Sequence, residues 1–108
     1  MDSEKLYGIL SKYAESQGMR LNKDKSFVLE ILEGLLTNES RYGYRSCPCR
    51  LAAGTKEKDA DIVCPCAYRN PDIKEYGSCY CGLYVSAEWN EEKIQHVRVP
   101  ERRKNTIN

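Results

Sequence analysis

Apolar positions in the first 46 residues recur with the period of a helix. Leu6, Ile9, Leu10 and Tyr13 fall at i, i+3, i+4 and i+7, on one helical face. Asp2 or Ser3 suits the N-cap of that helix, and Gly18 suits its end. A second helix is expected to start near Asn22, a good cap residue. It carries a wide apolar stripe of Phe27, Val28, Ile31, Leu32, Leu35 and Leu36, with Gly43 past its end. Two amphipathic helices on a short link make a helical hairpin, and its role is scaffold.

From Arg45 to Tyr84 the period fades. Pro48, Gly54, Pro65, Pro71 and Gly77 divide the chain into loops and short turns. Thr55 is placed to cap a short helix over 56–63 that runs into Cys64. Residues 71–76 can form another helical turn with Pro71 at its first position. Leu83, Tyr84 and Val85 suffice for no more than a short strand. Asn90 is placed to cap a last short helix over 91–96, and 98–104 reads as an extended, solvated tail. The pattern predicts a mainly α fold. It is a small single domain with a helical scaffold over 1–44, a cysteine-bearing region over 45–85, and a short helix and tail over 86–108.

Composition narrows the class. A chain of 108 residues is one small domain. Its core is modest, because a chain this short buries only about two-thirds of its unfolded surface. Folds of this size often need a metal, disulfides or a partner as a staple. Charged residues make up 31% and hydrophobic residues 41%, which excludes a disordered tail. No apolar run approaches the roughly 18 residues of a spanning helix, so no membrane role is expected. A net charge of +1 gives no support to nucleic-acid binding. The start, Met-Asp-Ser-Glu-Lys, has no apolar core of a secretory signal, so a reducing cytoplasm is expected. In that compartment cysteines serve as ligands or redox thiols more often than as a disulfide frame.

There are six cysteines, all between Cys47 and Cys81. They form three Cys-x-Cys pairs, Cys47-Pro-Cys49, Cys64-Pro-Cys66 and Cys79-Tyr-Cys81, with gaps of 14 and 12 residues. Structural zinc takes four ligands, usually from pairs with longer internal spacing, so three such pairs fit it poorly. Three structural disulfides conflict with a reducing compartment. An iron–sulfur cluster of the [4Fe–4S] type takes four thiolates and tolerates irregular loops. That leaves two thiols, the number one redox disulfide needs. A cluster supplies single electrons and a dithiol stores two, so a protein holding both can convert one kind of chemistry into the other.

These pairs, together with Asp61-Ile-Val-Cys-Pro-Cys-Ala-Tyr-Arg and Glu75-Tyr-Gly around them, resemble the catalytic (β) chain of ferredoxin–thioredoxin reductase. The resemblance spans roughly 1–103. It implies a mostly helical fold whose loops wrap a [4Fe–4S] cluster. It also implies that Cys47, Cys64, Cys66 and Cys79 ligate the iron, and that Cys49 and Cys81 form the active disulfide. The implied enzyme takes electrons from reduced ferredoxin and reduces thioredoxin or a thioredoxin-like protein. In plants a non-catalytic subunit is also present. In the implied mechanism, Cys49 attacks the target disulfide and Cys81, kept beside the cluster, resolves the mixed disulfide. Tyr80 stands where plant and cyanobacterial members have histidine, and the gaps differ from theirs. Both departures point to a bacterial or archaeal type. Two rival readings stay open: a zinc-stapled, non-catalytic binding module and a simple one-electron carrier.

The remaining candidates have plainer readings beside their functional ones. Tyr80 is expected to pack over the site more than to deliver protons, since an unperturbed tyrosine has a pKa near about 10. His96 is expected at the surface or in packing. The eight tyrosines are read first as core packing and second as a shield for a cluster. Arg98, Arg102, Arg103 and Lys104 are read as a solvated tail, with docking of an acidic ferredoxin as the alternative. Arg45, Arg50 and Arg69 flank the first two pairs. Arg50 is the best placed to lower the Cys49 pKa or to balance cluster charge.

Overall fold

Helix α1 runs Ser3–Ser16 in the computed structural model, which describes residues 1–103. Lys104, expected in the basic tail, lies outside the described residues. Asp2 caps α1: its side chain accepts the Lys5 N–H at 2.8 Å, filling one of the amide donors that a helix start leaves open. Leu6, Leu10 and Ala14 are its buried face. Ile9 points away and is 46% exposed, so the buried stripe is narrower than its spacing suggests.

Helix α2 runs Lys25–Tyr42. Its buried residues Val28, Ile31, Leu32 and Leu35 meet those of α1 in one core, and Phe27 lies at the surface. Gly43 closes it at φ 84°, in the left-handed region that favours glycine. The cap is Asp24, which accepts the Phe27 N–H, and not Asn22. Asn22 is committed elsewhere. Its N–H donates to the Leu83 carbonyl and its side-chain amide to the Gly82 carbonyl, while its Oδ1 accepts the Asp24 N–H.

That bonding belongs to a small sheet the sequence pattern did not anticipate on its first side. Strand β1, Arg20–Leu21, pairs antiparallel with β2, Tyr84–Val85, with Arg20 opposite Val85 and Leu21 opposite Tyr84. The hairpin of helices is thus tied directly to the segment after the third cysteine pair. About half of the chain is helical, and this sheet is the only regular one among the described residues.

The remaining helices are short. Helix α3, Lys56–Asp59, passes into a 3₁₀ turn, Ala60–Ile62, and stops before Val63. Thr55 holds the cap position without a side-chain bond. Buried Asp59 fixes this corner, accepting from the Tyr44 hydroxyl and from the Ala53 and Gly54 N–H groups. Helix α4, Arg69–Tyr76, begins two residues before Pro71. Helix α5 is Ala87–Asn90, capped by Ser86, so Asn90 ends a helix instead of starting one over 91–96. The Asn90 side chain donates to the Leu21 carbonyl and accepts from the Lys23 N–H. His96 packs flat on Trp89 at 3.7 Å between ring centres, as a packing histidine would.

The C-terminal segment differs most from expectation. It is no solvated tail: Val99 is buried, and three successive charged residues are bound to the body. Glu101 pairs with Arg50, Arg102 with Asp72 and Glu75, and Arg103 with Asp59 and Asp61. Each charge meets its complement on a different segment, so a run that looks solvated in sequence becomes a strap. No described helix is long and apolar enough to cross a membrane.

Candidate functional site

The three cysteine pairs come from loops that backbone hydrogen bonds hold in place. Ser46 bridges Val63, the Cys47 N–H donates to the Ile62 carbonyl at 2.8 Å, and the Cys64 N–H donates to the Arg45 carbonyl at 2.7 Å. These bonds set the first pair beside the second. The third pair sits on a tight turn, where the Cys79 N–H bonds to the Tyr84 carbonyl and Ser78 bridges Val85. Sheet β1–β2 then anchors that turn to the helical hairpin.

Gly34 is a positioning residue that sequence reasoning missed. It lies inside α2, where glycine costs about 1 kcal/mol relative to alanine. A Cβ there would come within 2.8 Å of the Pro48 Cβ. The missing side chain lets the Cys47-Pro-Cys49 loop rest on the helix backbone. Gly34→Ala therefore gains propensity and loses fit, and overpacking costs about 1–3 kcal/mol. The expected result is a net loss of up to about 2 kcal/mol in a denaturant titration. A gain of about 1 kcal/mol would show that the loop yields freely.

All six cysteines are free, and Cys49 is the exposed one. The sulfurs of Cys47, Cys49 and Cys81 lie within 4.8 Å of one another. This trio unites one expected ligand with both expected redox thiols. Cys79 adjoins it, its sulfur 3.7 Å from that of Cys81. Cys64 and Cys66 are outside the trio, and Cys64 feels the charges of Cys79, Cys47 and Cys66. Burial pushes the Cys64 thiol well up, and the neighbouring Cys79, Cys47 and Cys66 add to it. Cys66 accepts from the Arg50 guanidinium at 3.6 Å.

The trio shares protons unevenly. Hydrogen bonding from Cys49, then from Cys81, pulls Cys47 far below the usual thiol range. The same bonding to Cys47 pushes Cys49 and Cys81 up. Cys79 is also lowered, first by Cys81; burial opposes this, and the N–H groups of Tyr84, Leu83 and Gly82 add to the lowering. The Tyr84 N–H reaches its sulfur at 3.3 Å. Thiolate character concentrates on Cys47 and Cys79, and cysteines in this arrangement can hold a metal ion.

The surrounding side chains divide into three tasks. Arg45 turns outward to Glu39. Arg69 donates to the Tyr13 hydroxyl and to the Cys66 carbonyl, joining α4 to α1 beside the second pair. Arg50 is buried and faces Cys66 and Cys47. The expectation that Arg50 lowers the Cys49 pKa is therefore corrected: the guanidinium is turned to Cys66 and Cys47. Tyr80 packs under Arg50, with the guanidinium 4.5 Å from its ring centre, and Tyr68 holds it from a second side at 5.1 Å. Tyr84 is core packing, yet its buried hydroxyl has no hydrogen-bond partner among the described residues and stands near Cys64 and Cys79.

An open cleft of about 360 Å³ lies beside Cys49 and Cys81. Cys49, Tyr80 and Cys81 line one wall, and Val97, Arg98 and Val99 of the strap line another. Compared with known families, residues 2–104 match the model for the ferredoxin thioredoxin reductase catalytic beta chain. A search of curated proteins finds no match.

Proposed function

The chain belongs to the ferredoxin thioredoxin reductase catalytic beta chain family, and from that we propose that it is an oxidoreductase that passes electrons from a ferredoxin to the disulfide of thioredoxin or a thioredoxin-like protein. The observation that carries this reading is the convergence of all three Cys-x-Cys pairs, with one exposed thiol facing a cleft.

The donor set fits a [4Fe–4S] cluster. Four thiolates are required, and of the proposed ligands Cys47, Cys64, Cys66 and Cys79 three are buried and Cys64 is half-buried, while Cys49 is exposed. Two features of this chain support a cationic iron centre there. Cys47, Cys66 and Cys79 are buried, and a metal cation stabilises buried thiolates. The partnerless Tyr84 hydroxyl beside Cys64 and Cys79 is a donor in need of an acceptor, and a sulfur of such a centre is one. When bound, the cluster supplies single electrons.

The chain's own residues do the rest. The Cys49–Cys81 disulfide opens on taking up two electrons and two protons, delivered one electron at a time by the donor. The Cys49 thiolate then attacks one sulfur of the target disulfide. A bond forms from Cys49 to that sulfur, the target S–S bond breaks, and its electron pair leaves on the second target sulfur, which takes a proton. The Cys81 thiolate attacks Cys49, restoring the internal disulfide and releasing the target as a dithiol. A metal held by Cys47 would compete for the sulfur lone pairs that accept the Cys49 proton, and would so weaken the main cause of the raised Cys49 thiol. Free thiols and this chemistry suit a reducing, cytoplasmic setting.

The test begins with anaerobic purification, a visible spectrum, and counts of iron, sulfide, zinc and titratable thiols. Expected are a brown protein, about four irons, and two cysteines that cycle between disulfide and thiol. A colourless protein with about one zinc would refute the reading and favour a stapled binding module.

A further inference from the structure

Arg50 is the least exposed cation near the cysteines, its side chain only 2% accessible. Three kinds of contact fix it. Its Nε and Nη2 form two hydrogen bonds to the Glu101 carboxylate, at 2.6 and 2.8 Å. The rings of Tyr68 and Tyr80 hold its plane. Its remaining Nη1 donates to the Cys66 sulfur. A two-pronged bond to a carboxylate uses one edge of the guanidinium and aims the third nitrogen elsewhere, here at a sulfur. Burying an arginine is costly unless its charge is met. Glu101 meets it from a strap more than 50 residues further along the chain, as the 51-residue separation of the pair records.

We propose that Arg50 and Glu101 together set the reduction potential of the iron centre: Arg50 as a positive charge and hydrogen bond on the Cys66 thiolate, and Glu101 as the negative charge that partly offsets it. This rests on the proposed iron centre and on Cys66 as a ligand. Taking up one electron adds one negative charge to the centre and its thiolates. A nearby cation favours that state, and a nearby anion opposes it. Hydrogen bonds to ligand sulfurs act in the same direction as the cation. The strap thereby has an electrostatic role as well as a mechanical one. Arg50 acts through the Cys66 sulfur and Glu101 through Arg50, so both are positioning residues.

The two charges make predictions of opposite sign. Arg50→Met keeps a long apolar stem between Tyr68 and Tyr80 and removes the charge and the sulfur bond. The one-electron midpoint potential, read by visible absorption in a mediated titration of the anaerobic holoprotein, should move to more negative values. Glu101→Gln keeps an amide that can still bond Arg50 and removes the offsetting charge, so the potential should move to more positive values. A purely structural role would produce no such opposition. Iron-loaded variants whose potentials equal that of the wild type, or shift in one common direction, would overturn the proposal. If Arg50→Met fails to fold or to load iron, Glu101→Gln decides alone. A positive shift supports the proposal, and no shift or a negative one overturns it. Iron in the wild-type protein separates the two levels: its absence defeats the iron reading itself, whereas iron with unshifted variants defeats only this inference.

Discussion

Cys49→Ser should leave the iron content and visible spectrum of the protein unchanged and reduce turnover of a thioredoxin-like disulfide on the order of a thousandfold or more. Serine nearly preserves the volume of cysteine, and Cys49 is the exposed member of the six, so little packing is at stake. What disappears is the nucleophile. A thiolate attacks a disulfide sulfur; a hydroxyl does not ionise at neutral pH and cannot form the mixed disulfide. The measurement is paired: iron per chain on one side, dithiol production with reduced ferredoxin on the other. The geometry sharpens the result. Cys49 shares a trio with Cys47 and Cys81, all three sulfurs within 4.8 Å, and such a trio could itself hold a metal. Loss of iron in Cys49→Ser would make Cys49 a ligand and overturn the division into Cys47, Cys64, Cys66 and Cys79 as ligands and Cys49 and Cys81 as redox thiols.

The parts of the fold legible in sequence are those governed by local, repeated signals. Each of the two long helices repeats its apolar spacing over several turns, and a short polar side chain or a glycine marks their ends. The cysteine pairs are legible because few chemistries use that spacing. What escaped depends on partners far along the chain. Asn22 has the composition of a cap, and only the return of Gly82 and Leu83 shows that its amide is already taken. Strand β1 is two residues long, too short for any period, and exists because β2 lies beside it. Gly34 looks like a weak point in a helix until Pro48 is seen against it.

The strap gives the same lesson in electrostatic form. Glu101, Arg102 and Arg103 carry mixed charges near a chain end, a pattern that ordinarily stays in water. Their partners are Arg50, Asp72, Glu75, Asp59 and Asp61, scattered over a loop and short helical segments whose arrangement no periodicity predicts. Two of these partners, Asp59 and Asp72, are fully buried carboxylates. A buried carboxylate requires compensation, so once the fold is known the destination of the arginines follows. Arg50 shows how such a partner changes chemistry: neighbouring Cys49 in sequence, it is turned by Glu101 and the two tyrosines toward Cys66.

Cys64→Ser should have the opposite profile to Cys49→Ser, with iron lost and the domain weakened. Cys64 enters through a backbone bond to Arg45, beside the Ser46–Val63 bridge, where the first and second pairs are joined. With one of the four proposed ligands gone, iron should fall from about four per chain to below about one. The consequence for stability follows from what is left. Cys47, Cys66 and Cys79 are buried, Arg50 faces them with its charge, and no iron centre links the three loops. A small domain has a total stability of about 5–15 kcal/mol, and a bound metal centre contributes folding free energy directly. A loss of several kcal/mol is expected, read as a lower and broader thermal transition. The α1–α2 core includes Cys79 and has Cys64 packed against it, but its helix–helix contacts among Leu6, Leu10, Val28, Leu32 and Leu35 need no cysteine, so much of the helical circular dichroism should persist at low temperature. An iron-free protein with helical signal and a depressed transition is the expected outcome. A Cys64→Ser protein that keeps its iron and melts like the wild type would show that Cys64 is no ligand and that the loops hold together without it.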